Sequence, residues 1–179
     1  MKSYLNRKQV AEIREKFSTI DGMTDRLVLR YVAYPFKNEQ AREYARHGFA
    51  RRLSTLRRCT QNVFRIVPPG TTKVPVKTKL NDARINLQAF VANVYGSIDN
   101  LAWVWVHERG LTDRISRGRV GFRTHHTEVR SSLSQEFQSY LQGLDGWLAY
   151  IIEYRDSLGH RIPLYIPPGG VRPNDIGQY

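Results

Sequence analysis

The chain has 179 residues, 41% of them hydrophobic, enough for one domain with a real core and a short N-terminal appendage. No apolar run approaches the length of a membrane span, and the start Met1-Lys2-Ser3-Tyr4-Leu5-Asn6-Arg7 lacks the apolar stretch of a secretory signal. The single cysteine, Cys59, excludes an internal disulfide and a cysteine-based structural zinc site. A cytoplasmic protein without membrane contact fits these features, and no cofactor or metal is expected. Lys and Arg total 28 against 16 Asp and Glu, a formal charge of +12, and arginine outnumbers lysine 21 to 7. Guanidinium forks suit planar, bidentate phosphate contacts, so nucleic acid or an acidic protein is the expected partner class.

In chain order, Val10, Ile13, Phe17 and Ile20 recur at helical spacing, predicting a helix from Asn6 to Ile20. Asp21-Gly22 reads as a turn, Thr24 as the cap of a second short helix through Tyr34, and Pro35 as its end. Asn38 then caps a long helix to about Arg65 with the apolar stripe Ala45, Phe49, Leu53, Leu56, Val63 and Val67. The arginines of this helix, Arg52 among them, read as a solvated face rather than a phosphate track. Val67-Pro68-Pro69-Gly70 breaks it, and a basic loop runs to Lys79.

The next helix is predicted from about Asn81 to Arg109, ended by Gly110. Asn86, Asn93 and Asn100 fall seven apart along one edge, with Asp99 beside them. They either fix register and satisfy buried polar groups or support a catalytic pair on a facing helix. The loop Leu111 to Thr127 is long for a helical protein. Its Arg114, Arg117, Arg119 and Arg123, interleaved with glycine and Phe122, suit single-stranded RNA, where cations hold the backbone and a ring stacks a base. Metal binding by His125-His126 and a plain disordered connector are the alternatives. Helix resumes at about Ser131, Gly143-Leu144-Asp145-Gly146 predicts a kink with Asp145 as a cap, and a final helix follows.

That final helix delivers Arg155 into its last turn. Gly159 is the residue type of a left-handed cap and Pro163 prevents resumption, which frees His160 to swing back toward Arg155. The order Arg155-Asp156-x-x-x-His160 resembles the signature of the HEPN superfamily: arginine, a small polar residue, then histidine after four to six intervening positions. Spacing alone is weak, since about two such pairs are expected by chance here. Arg42 with His47 and Arg119 with His125 or His126 match the spacing. Only Arg155 and His160 add the polar second residue and the helix end.

The resemblance implies an all-α fold, an antiparallel up-and-down helical bundle, usually a homodimer with both motifs facing one cleft. The chain divides accordingly into an N-terminal helical arm (1–37), a bundle (38–161) and an extended Pro/Gly-rich tail (162–179). Active members are metal-independent endoribonucleases of toxin or defence type. Carried over, Arg155 and His160 are catalytic, with Asp156, Asp99 and Asn100 in support. In one toxin branch a tyrosine follows the histidine by two residues; that position is Ile162 here. The expected partners are RNA, a second copy of the chain, and an acidic antitoxin or regulatory protein. The alternative function is a non-catalytic RNA- or nucleotide-binding module.

Overall fold

A computed structural model describes residues 5–73 and 75–166, and among them the fold is all-α, without a strand. Helix α1 spans Arg7–Ala33. Asn6 caps it reciprocally: its side chain accepts from the Gln9 amide and its own amide donates to the Gln9 side chain, each at 2.9 Å. The expected turn at Asp21-Gly22 is not there, and Thr24 is buried within the helix instead of capping a second one. A helical glycine costs only about 1 kcal/mol, and the unbroken rod makes contacts that outweigh it. Phe17 stacks on Phe64 at 4.3 Å, Tyr31 packs on Phe49 at 4.6 Å, and Asp25 meets Arg57 at 2.6 Å.

Asn38 caps the second helical rod as its side chain type predicts, accepting from the Ala41 amide at 3.1 Å. This rod runs as α2 (Glu39–Glu43), a π-helical stretch (Tyr44–Ala50) and α3 (Arg51–Ile66). Periodicity alone did not foretell the π-helical stretch. Helix α4, Lys77–Glu108, starts four residues ahead of the predicted Asn81 and ends, as expected, before Gly110, whose φ is +63°. The α4 helix packs along α2, the π-helical stretch and α3 on one side and meets the last helix on another. Glu108 ties the turn between the rods to the end of α4, accepting from the amides of Lys37 (3.0 Å) and Asn38 (3.1 Å).

The segment after Gly110 folds onto the core. Ile115 and Phe122 are buried with Ala102, Val106, Val129 and Leu141. Helix α5 covers Thr127–Ser131, and Ser134 then caps α6, Gln135–His160. No break interrupts α6 at Gly143-Leu144-Asp145-Gly146. Asp145 is not a cap; it binds Arg130 across the α5–α6 corner, one of the two contacts at 3.2 Å, and this anchors the middle of α6. Gly159 lies within the helix with no positive φ, and Arg161 closes α6 in extended conformation. Of the tail, residues 162–166 are described, and the Leu164 carbonyl accepts from Gln88 at 2.9 Å. Pro167-Pro168-Gly169-Gly170 and the rest of the expected tail lie outside the described residues.

Candidate functional site

Tyr95 and Asp99 are four residues apart on α4 and so share a face. Arg155 of α6 sets its guanidinium 4.3 Å from the centre of the Tyr95 ring and binds Asp156 at 3.0 Å. Burial pushes the Asp99 carboxyl up, while the charges of Arg123, Arg155 and Arg52 pull it back toward the ionised form. Three cations therefore converge electrostatically on one carboxylate. Among the described residues, the Nε atoms of Arg123 and Arg155 are buried without a hydrogen-bond partner. Burial disfavours the Arg155 charge, but Tyr95, Asp156 and Asp99 more than offset it and hold the arginine protonated.

Arg52 enters this region by a different route. Its Nε donates to Asn100 at 2.9 Å and its Nη1 to Asn93 at 3.1 Å. The guanidinium lies over Gly96, where a Cβ would stand 2.4 Å from Cζ. Asn62 donates to Asn86 at 2.9 Å. The asparagine edge of α4 is thus a clasp for α3. Asn100 holds Arg52, not Arg155, whereas Asp99 does sit within electrostatic reach of Arg155. Arg52, expected on a solvated face, is instead part-buried in this clasp, and sequence reasoning passed over Tyr95. The seven-residue spacing of Asn93 and Asn100 was the signal that a long donor from a neighbouring helix lies across them.

His160 is exposed on the last residue of α6. With the helix unbroken, it stands roughly 140° around the axis from Arg155. The expected convergence of the two side chains, which needed a break at Gly159, does not occur in this conformation. The four loop arginines go to different places. Arg114 and Arg117 are exposed, Arg119 pairs with Glu128, and Arg123 lies within electrostatic reach of Asp99. Phe122 is only 7% exposed, buried in the core and edge-on to the exposed Phe137, so it is no platform for a base. Its apolar ring completes the core more favourably than it would stack in solvent.

His126 is buried beneath Gly121, and its Nδ1 accepts from the Arg123 amide at 3.1 Å. Burial, with the charges of His125, Arg123 and Arg130, lowers its pKa to about 4, against a smaller opposing pull from Glu128. That hydrogen bond employs the ring in shaping the loop. Among the described residues, no three His, Cys, Asp or Glu side chains cluster as a metal-ligand set. No described helix is long and apolar enough to cross a membrane.

A second cluster of rings lies further along α4. Trp103, His107 and Tyr44 pack pairwise at 5.3 to 5.6 Å with planes inclined by 22 to 30°. Burial lowers the His107 pKa and favours the neutral ring. Comparison with family models, curated proteins and solved structures found no match.

Proposed function

We propose that the chain is a metal-independent endoribonuclease of toxin or defence type, acting through Arg155 and His160. The observation that carries this reading is the setting of Arg155: over Tyr95, beside Asp99, with an unpartnered Nε and two further arginines close to the same carboxylate. A phosphodiester is the ligand such a group of cations suits. The RNA 2′-hydroxyl attacks its adjacent phosphorus and the P–O5′ bond breaks, leaving a 2′,3′-cyclic phosphate and a 5′-hydroxyl. DNA lacks the attacking group. Arg155 stabilises charge on the non-bridging oxygens, Asp99 and Asp156 hold Arg155, and His160 moves the proton. Arg114, Arg117, Arg119 and Arg123 hold the strand.

In this reading the helices form an antiparallel up-and-down HEPN-like bundle (38–161) with an N-terminal arm (1–37) and a tail (162–179). It works as a homodimer in the cytoplasm under an acidic antitoxin or regulatory partner. The active state requires either that the last turn of α6 unwinds at Gly159 or that the second copy supplies its histidine. Tyr140, Trp147 and Tyr150 are 59, 46 and 54% exposed on α6 and offer the apolar area for pairing.

The second reading, an RNA- or nucleotide-binding module without chemistry, is favoured by one observation: His160 is turned away from Arg155. Incubation of the purified chain with labelled RNA in EDTA separates the two. Cleavage that survives EDTA and is lost in both Arg155→Ala and His160→Ala is expected of the enzyme. RNA that is bound but left whole by the wild type would replace it with the module.

A further inference from the structure

At the C-terminal end of α4, about 12 Å along the axis from Tyr95, the Tyr44, Trp103 and His107 rings border a cavity of about 310 Å³. Three near-parallel rings, each about 5.4 Å from the other two, cannot form a column. They make an offset cluster that lines the opening. Around the opening stand Gln40, Thr112 and Ser116, whose side chains make no hydrogen bond within the described residues. The His107 ring, kept neutral, presents one donor and one acceptor. Arg117 reaches over from the loop, its Cζ 5.9 Å from the centre of the Trp103 ring.

We infer that this cavity is a nucleobase pocket. A flat heterocycle with donors and acceptors on its edge would stack on the rings in place of the Arg117 guanidinium, which would turn to the phosphate attached to it. The volume is at the small end for a ligand site, which fits one base with its sugar and not a larger cofactor. The aromatic face supplies stacking for any base. Gln40, Thr112 and Ser116 supply the edge contacts that choose between bases, and amide and hydroxyl groups can both donate and accept. The pocket shares no side chain with the Arg155 cluster, so it stands whether or not the chain cuts RNA. The same chemistry is offered by a free nucleotide and by one base of a bound strand.

The experiment is calorimetric titration of the full chain with AMP, GMP, CMP and UMP, and in a second arm with a short RNA. Both arms use the His160→Ala background, so that loss or absence of cleavage has no bearing on the result. Saturable binding is expected, weakened about tenfold or more by Trp103→Leu and by Arg117→Ala and retained by Trp103→Phe. The double variant Gln40→Ala/Ser116→Ala should change the ranking of the four bases. These two side chains are exposed, so that result decides the matter even if Trp103→Leu fails to fold. Binding of mononucleotides assigns the pocket to free nucleotide, and binding in the RNA arm alone assigns it to a base in a strand. Absence of binding in both arms, or binding indifferent to Trp103→Leu and to the double variant, overturns the inference.

Discussion

At the scale of single residues, two contacts make sharp predictions. A methyl group at position 96 would collide with the Arg52 guanidinium. Gly96→Ala should therefore expel Arg52 from Asn93 and Asn100 and lower stability by about 1–3 kcal/mol, read as a fall in Tm. Arg52→Ala should cost less and should relieve most of the Gly96→Ala penalty in the double variant. His126 concerns pH. Its folded pKa of about 4 lies below the ordinary histidine value, so the unfolded chain binds the proton more readily between the two. Its contribution to stability is complete above about pH 6.5 and is lost as pH falls toward 4. Urea titrations across that range should show the decline in wild type and a flatter profile in His126→Gln. The residue identities carried part of this in advance. The polar edge of α4 that holds Asp99 was legible from helical spacing, whereas the burial of Phe122 was not, because a ring among glycines and arginines looks the same in a loop whether it faces solvent or core.

At the scale of helices, glycine was the main source of misreading. Asp21-Gly22, Gly143 to Gly146 and Gly159 all carry the local signature of a turn or a cap, yet each lies inside a helix. Local propensity favours a break by about 1 kcal/mol. The long-range contacts of Phe17, Tyr31, Asp145 and Leu148 favour continuity, and a single sequence does not display them. The same residues indicate how to stabilise the protein. Gly143 and Gly146 have helical backbone, and added Cβ atoms there would meet nothing within 4 Å. Gly143→Ala with Gly146→Ala should add about 1 kcal/mol or somewhat more, read as a rise in Tm with helical content unchanged. A fall in Tm would mean that α6 bends there in solution. Asn38, Gly110 and the apolar stripes were readable because a cap or a stripe is a local property and the fold agrees with it.

At the scale of the whole molecule, charge and the exposed rings of α6 matter most. With a net charge of +12, binding of RNA should weaken steeply with salt, in proportion to the phosphates engaged. Neutralising Arg114 and Arg117 together should make the slope of log affinity against log salt shallower by about 1 to 2. An unchanged slope would take both off the RNA path. If α6 pairs with a second copy, Trp147→Lys with Tyr150→Lys should convert a dimer to a monomer by light scattering while circular dichroism stays the same. Dimer mass persisting in that variant would move the interface elsewhere. The helices were legible from the spacing of apolar residues, and the all-α class agrees with them. Which faces remain exposed was not, because coverage depends on how helices of unequal length meet.

The π-helical stretch Tyr44–Ala50 has a consequence for how the two candidate sites depend on each other. A π turn holds one residue more than an α turn, so it works as a phase shifter between the two halves of one rod. Upstream of its effect Tyr44 meets Trp103 and His107; downstream Arg52 meets Asn93 and Asn100. Deleting a single residue there would turn one half by about 100° against the other. Either the ring cluster or the asparagine clasp could then face α4, but not both.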